Sequence, residues 1–423
     1  MPPLRAASRG QPPSFITHTI KLLLTLALAS TRAAAVPPRP NAATCAWPYS
    51  SKAWKTRGVA QRSSGRYLEY GVHAGFNNQR IELYHGLLAA RAMNRTLLLP
   101  PALRHGKVRH KYPEKLLRLF EVAAASAEAR AEAASGLTAA ASLAHLLDLA
   151  GVSDLVGETD LAAYGKHIMT APASTLACDH HVWLFDATER HGGGMSYCLK
   201  ENQTKCQRLT PASTPARDYE LLRLPSLFAG SVVGGGPTAE RIERATLTYA
   251  APLRRAAAAF APIKSYAAVH IRASDALEFG ANGTVEQGRI ARAFGVLLED
   301  AAACNGSRVP STVDLFVASN VQRARYENTT AFVAGVEALR AALGATDIRV
   351  RTLDAPPEAV AAAVASAASS PAEGAALAST ADLTSHIDWL IAVAAPIGFG
   401  GLSGSTFSYE IVRARTLLGP PCE

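Results

Sequence analysis

Tyr67-Leu68-Glu69-Tyr70-Gly71-Val72 is a strand-like run, and after two residues it leads into Gly75-Phe76-Asn77-Asn78-Gln79-Arg80, a glycine-led polar turn. Ile81, Tyr84, Leu87 and Leu88 then recur at helical spacing, and Asn94-Arg95-Thr96 introduces the apolar run Leu97-Leu98-Leu99, stopped by Pro100-Pro101. The order predicts strand, loop, helix, strand. In such a unit the helix N-terminus turns unpaired N–H groups and a partial positive charge toward the loop, which suits a phosphate or a sugar hydroxyl. Asn77 and Asn78 add neutral donors and acceptors that orient a substrate without committing a charge. Asparagine is also a preferred helix cap, so a purely structural role for the pair stands beside the ligand role.

Outward from this unit, strand and helix alternate through the second half of the chain. Ala267–Ile271 is read as a strand, Glu286–Ala303 as a helix, Val313–Ala318 as a strand, Thr330–Leu343 as a helix and Ile348–Leu353 as a strand. An alanine-rich helix, a helix around Asp388, the short strand Ile397-Gly398-Phe399 and a final helix complete the series. Alternation with short connections implies an α/β fold with a parallel sheet covered on both faces. Such sheets bind ligands at the carboxyl ends of their strands, and two loops lie there. His270-Ile271-Arg272-Ala273-Ser274-Asp275 puts a cation just after a buried strand, where its planar fork can hold two oxygens of a diphosphate or pair with Asp275. Gly400-Gly401-Leu402-Ser403-Gly404-Ser405-Thr406-Phe407-Ser408 opens the last helix, so its N–H groups with Ser405 and Thr406 can grip a diphosphate, or simply cap that helix. The P-loop lysine is absent, so a nucleoside triphosphatase is not indicated.

The chain has 423 residues, 48% of them hydrophobic, and no long charge block, which describes two globular domains with a substantial core. Its net charge of +9 is scattered, without the basic, aromatic-interleaved run of a nucleic-acid groove. Arg5, Arg9 and Lys21 precede the apolar run Leu22–Ala29 and the small residues Ala33-Ala34-Ala35, so residues 1–35 read as a signal peptide. A membrane anchor is the weaker reading because the apolar run is shorter than the roughly 20 residues a bilayer requires. Residues 36–65 are then a linker into a lumenal or secreted protein, and membrane contact depends on retention of the leader. Five sequons (Asn94, Asn202, Asn282, Asn305, Asn328) and an even set of six cysteines agree with that compartment. Cys198 with Cys206 is expected to close a local loop, and the absence of any CxxC pair counts against zinc. The alanine-rich stretches near 122–150 and 355–380 read as helices, and the glycines near 192–194 and 234–236 as breaks in the chain.

Taken in order, Gly75 to Arg80, Asn94-Arg95-Thr96-Leu97 to Pro100-Pro101, His270-Ile271-Arg272, and Ile387-Asp388 leading to Ser405-Thr406-Phe407 resemble the protein O-fucosyltransferase family. The resemblance implies a GT-B-like fold: two Rossmann-like domains with parallel sheets facing a central cleft, here residues 66–240 on the acceptor side and 241–423 on the GDP-fucose side. It implies inverting transfer of fucose from GDP-fucose to a Ser or Thr hydroxyl in the endoplasmic reticulum or Golgi. Arg272 would stabilise charge developing on the β-phosphate, Asn78 or Asn77 would serve as the catalytic asparagine, and Gly75 and Phe76 would complete that motif. His270, Asp275, Asp388, Ser405, Thr406 and Phe407 would contact the sugar nucleotide. The family's chemistry implies no metal cofactor, and no Asp-x-Asp triplet occurs in the chain.

One departure concerns the base. Branches that use a glutamate place it where this chain has Ala74, so that residue cannot deprotonate an acceptor, and Glu82 within the motif helix faces either the site or solvent. The acceptor is accordingly left as a protein or a glycan. Two competing readings keep the scaffold: a transferase using another nucleotide sugar, and a catalytically silent secreted carbohydrate-binding or interaction protein.

Overall fold

The first sequence motif folds as a right-sized crossover: strand β1 (Tyr67–Tyr70), helix α1 (Phe76–Ala92) and strand β2 (Thr96–Leu97), with β1 and β2 paired in parallel. The computed structural model describes residues 66–71, 75–102, 141–157, 173–175, 181–186, 194–199, 202–209, 220–224, 227–228, 230–262, 265–272, 283–303, 311–319, 323, 326–380, 382–402 and 404–418, all within one compact unit, Trp47–Glu423. The leader, Ala74 and Asp275 therefore lie outside the described residues. No helix among the described residues is long and apolar enough to cross a membrane.

Helix α1 starts earlier than the sequence pattern suggests. Gly75 is its N-cap, with φ −75° and ψ 163°, so Asn77 and Asn78 belong to the first helical turn rather than to a loop, and no side chain caps the helix. The helix is also buried nearly all round: Gln79, Arg80, Glu82 and His85 are as enclosed as Leu83 and Leu87. Glu82 thus faces the interior, which settles its solvent alternative. At the far end Asn94 takes a left-handed conformation, φ 48°, that ends the helix. Arg95 then donates from Nη1 to the carbonyls of Tyr67 (2.7 Å) and Glu220 (2.8 Å), tying together the starts of two strands. Burial and nearby Arg66 lower its pKa to about 10.

Strands β3 (Pro101–Ala102) and β4 (Ala141–Ser142) form a small antiparallel pair that leads into the short helix α2 (Leu143–Leu146). Strands β5 (Ala173–Thr175) and β9 (Leu221–Leu224) join the first sheet, whose order is β2-β1-β9-β5 and whose pairs are all parallel. The Gly- and Cys-bearing stretch read as a break folds instead largely as strands: β6 (His181–Asp186), β7 (Gly194–Leu199) and β8 (Asn202–Leu209) form an antiparallel meander. Strand β10 (Gly230–Val233) adds to it in parallel beside β6, and the register sets Cys198 opposite Cys206. Glycine-rich turns conceal strands whose pairing is supplied by their neighbours.

Helices α3 (Pro237–Leu247) and α4 (Ala251–Phe260) lead to the second parallel sheet, built of β11 (Tyr266–Ile271), β12 (Thr312–Ser319), β13 (Asp347–Arg351) and β14 (Gly398–Gly400) in the order β13-β12-β11-β14. Its helices are α5 (Gly283–Ala303), α6 (Thr330–Leu343), α7 (Pro357–Ala367), α8 (Pro371–Ala378), α9 (Leu383–Val393) and α10 (Thr406–Leu418). The alanine-rich stretch makes two helices rather than one because Ser370 accepts from the Glu373 amide (3.2 Å) while Glu373 accepts from the Ser369 amide (2.6 Å), with Pro371 opening α8. The α/β class and the two parallel sheets, one in each half of the chain, are as expected.

Alternation along the second sheet divides its side chains between two cores. Tyr266, Ala268, Phe316 and Ala318 belong to a core that also contains Leu68, Tyr70 and Leu222 of the first sheet; Ala267, Val269, Ile271, Val313, Leu315 and Val317 face α5 and α6 residues such as Phe294 and Leu339. β14 lies so close to α5 that a Cβ on Gly400 would stand 2.2 Å from the Ala293 carbonyl oxygen. Gly400→Ala is expected to cost about 3 kcal/mol, because backbone must move apart. Gly295→Ala, with nothing within 4 Å of the added Cβ, should stabilise by up to about 1 kcal/mol. Urea unfolding of both variants checks the contrast.

Candidate functional site

All four strands of the second sheet run parallel, so their carboxyl ends share one edge, and β11 is hydrogen-bonded directly to β14. That adjacency brings together two loops far apart in sequence. His270, the penultimate residue of β11, meets Ser408 in the first turns of α10: His270 Nδ1 lies 2.7 Å from Ser408 Oγ, which also accepts from the Leu402 amide at 3.0 Å. The Phe407 ring lies 4.6 Å from the imidazole. Ser408 Oγ, with one proton and two lone pairs, bridges the Leu402 amide and the His270 ring, the direction of the bond to His270 following the imidazole tautomer. Burial, and then the charge of Arg272, push His270 down to about 3. Burial therefore favours its neutral form.

Arg272 follows the end of β11, half-buried, and lines a small recess with His270, Ile271, Arg289, Ile290 and Leu402. Ser405 is 4% exposed, its backbone N–H bonded to the Leu402 carbonyl at 3.2 Å, and Thr406 is the first residue of α10. The helix thus begins at the sheet edge that carries Arg272, with its N–H groups at the same end.

Helix α9 connects this edge to the other motif. Its His386 meets the Phe76 ring edge-on at 4.4 Å between centroids and lies within 2.9 Å of the Tyr249 hydroxyl. Two residues on, burial raises the Asp388 carboxyl to about 7. Nine buried side-chain N or O atoms have no hydrogen-bond partner among the described residues, and three belong to residues selected from sequence: Asn77 Oδ1, Asp388 Oδ1 and Ser405 Oγ. An unsatisfied buried polar atom costs about 1–3 kcal/mol, so three in expected binding residues mark places where an incoming polar group has something to gain. Asn78 is half-buried, with its backbone N–H bonded to the Gly75 carbonyl at 2.9 Å. Among the described residues no group of three or more His, Cys, Asp or Glu side chains is placed to hold a metal ion.

Residues that sequence reasoning left without a role hold these parts in place. Arg80 is completely buried, stacked with its guanidinium carbon 4.1 Å from the Trp389 ring centroid and 5.0 Å from that of Tyr249, and its Nε donates to the Thr246 carbonyl at 2.9 Å. Beside it Arg413 bridges Glu243 (2.6 Å) and Glu410 (2.9 Å) and covers the Tyr84 ring at 4.8 Å. The sequence signal was present for Arg80, which ends the first motif, and absent for its aromatic partners, Trp389 on α9 and Tyr249 in the connection between α3 and α4.

No family model matches the sequence, and no curated protein matches it. Among solved structures, POFUT1 in complex with GDP is similar at a TM-score of 0.41 and 14% identity, over 84% of this chain and 96% of that one. POFUT1 in complex with GDP-fucose is similar at a TM-score of 0.40 and 15% identity, over 83% and 94%. The apo-form of POFUT1 gives 0.41 and 15%, over 85% and 98%.

The buried stack yields a test. Arg80→Ala removes a side chain from between two rings and should cost about 4 kcal/mol, whereas Arg80→Met restores most of the contact and should cost no more than half of that. Equal losses in urea unfolding would mean that charge balance with Glu410, and not packing, sets the role of Arg80.

Proposed function

We propose that this chain is an inverting, metal-independent glycosyltransferase that moves fucose from GDP-fucose to a Ser or Thr hydroxyl of a secretory-pathway protein. The observation that carries the reading is the meeting of Arg272 with the N-terminus of α10 at the carboxyl edge of adjacent parallel strands, the place where an α/β sheet takes a phosphate-bearing ligand.

Each residue then has a task. Arg272 and the α10 amides face the diphosphate and stabilise the charge it gains as the bond to the sugar breaks. Asp388 suits the paired N–H donors of a guanine edge, which its unpartnered oxygen would satisfy. Asn77 or Asn78 orients the sugar or the acceptor. The acceptor oxygen attacks the sugar's anomeric carbon from the face opposite the nucleotide, the carbon–oxygen bond to the β-phosphate breaks with its electron pair retained by GDP, and the hydroxyl proton passes to water or to a carboxylate elsewhere in the chain, position 74 being alanine.

Titration calorimetry with GDP, GDP-fucose, GDP-mannose and UDP-glucose in chelator tests the donor. Binding of GDP and GDP-fucose is expected, while failure of every guanine nucleotide would favour a silent carbohydrate-binding protein on this scaffold. Arg272→Ala should fold normally and lose most turnover, at least about a hundredfold; near-normal turnover would defeat the mechanism.

The raised Asp388 pKa gives a third test. A carboxyl held near 7 is neutral below that pH, and an accepting carboxylate is needed by the guanine, so affinity rises with pH through this window. GDP-fucose, which has no phosphate group titrating there, should bind about tenfold more tightly at pH 8 than at pH 6, and Asp388→Asn should flatten the profile.

A further inference from the structure

Two of the five sequons, Asn94-Arg95-Thr96 and Asn328-Thr329-Thr330, have burial described at all three residues, and the fold treats them differently. In the first, Asn94 is exposed, but Arg95 is 5% exposed with its guanidinium on the carbonyls of Tyr67 and Glu220, and Thr96 opens β2. In the second, Asn328 and Thr330 are both exposed and Thr329 between them is half-buried. That tripeptide lies on the surface of the folded chain from end to end.

The turn that carries it is anchored on its inner side. Tyr326 is 1% exposed, and its ring lies 5.2 Å from that of Phe332. Thr329 Oγ1 donates to the Tyr326 carbonyl at 2.8 Å and accepts from the Phe332 amide at 3.3 Å, which caps α6. The middle residue of the sequon is thereby committed to the backbone. No side-chain hydrogen bond holds Asn328 or Thr330 among the described residues. Modification of a sequon needs the asparagine amide and the hydroxyl two residues on, with any residue but proline between them, and here those two groups are the outward ones.

We propose that Asn328 is a modification site that carries an N-linked oligosaccharide. In the transfer, Asn328 Nδ2 attacks the anomeric carbon of an oligosaccharide held on a lipid diphosphate. The carbon–nitrogen bond forms as the carbon–oxygen bond to the diphosphate breaks, the electron pair leaves on the lipid diphosphate, and one amide proton passes to a base of the membrane-bound transferase. β12 is parallel to β11 and leads through this turn into α6, so the glycan stands at the carboxyl edge of the sheet, the edge that also carries Arg272. The proposal rests on the reading of residues 1–35 as a leader.

The test expresses the full chain with its own leader in a eukaryotic secretory cell. Glycans are released enzymatically in heavy-oxygen water, which leaves labelled aspartate at each asparagine that carried one, and the peptides are read by mass spectrometry. Residue 328 is expected to be labelled in most molecules. Thr330→Ala, which keeps the asparagine, should abolish the label, Thr330→Ser should retain it, and Asn328→Gln should lower the mass of the intact protein by one glycan. An unlabelled Asn328 in a chain labelled at another sequon overturns the proposal and leaves the leader reading standing. A label that survives Thr330→Ala also overturns it, because deamidation and not transfer would then be its source. Absence of label at every sequon overturns the proposal, and retention of that chain in the cytosol would overturn the leader reading with it.

Discussion

A guanidinium with no exposure to water has to be compensated, and around Arg80 that requirement organises the molecule. The group is stacked against Tyr249 and Trp389, keeps one hydrogen bond through Nε to Thr246, and leaves Nη1 and Nη2 without partners among the described residues. Glu410 supplies opposite charge to it and also pairs with Arg413, which in turn bridges to Glu243. Two arginines and two glutamates thus balance one another across α1, α3 and α10. Removing Glu243 or Glu410 leaves a buried arginine less compensated, the costly outcome for buried ion pairs. The cluster lies between the first sheet's motif helix and α10 of the second sheet, and one hydrophobic core contains residues of both sheets.

From that fixed junction the site inherits its geometry. Trp389 is both the platform under Arg80 and the neighbour in sequence of Asp388, so the turn of α9 that closes the stack also aims the unpartnered carboxyl. Phe76, at the start of α1, rests on His386 of the same helix. On the opposite side β11 and β14 are neighbours, and the His270–Ser408–Leu402 hydrogen bonds fix the loop that opens α10. The loop that opens α10 and the end of β11 carrying Arg272 thus share one edge of the sheet.

Much of this was legible beforehand, residue by residue. Helix α6 begins and ends where the pattern put it because both ends carry local signals: Thr329 accepts from the Phe332 amide, and Gly344 adopts φ 62°. The strands around Ala268 and Leu315 were readable because a sheet buried on both faces selects continuous apolar runs. The start of α1 was missed by the span of Phe76 to Arg80 because asparagine and glycine signal turns and caps alike, and here Gly75 caps by its backbone alone. The meander β6–β8 was missed because Gly192-Gly193-Gly194 reads as a break while the pairing of the strands is set by their neighbours. The split between α7 and α8 rests on a Ser370–Glu373 exchange that a run of alanines hides.

The sequence by itself determined most elements of the second sheet, the α/β class and the loops expected to suit a phosphate-bearing ligand, since periodicity, caps and turn residues act over a few positions. Tertiary structure decided what lies beside what. It made β14 the partner of β11, buried Arg80 between the rings of Trp389 and Tyr249, and left Asn77, Asp388 and Ser405 with unmet hydrogen-bonding capacity. These are properties of neighbours distant along the chain, created when apolar surfaces are buried together, and no local pattern encodes which polar atoms that burial will strand.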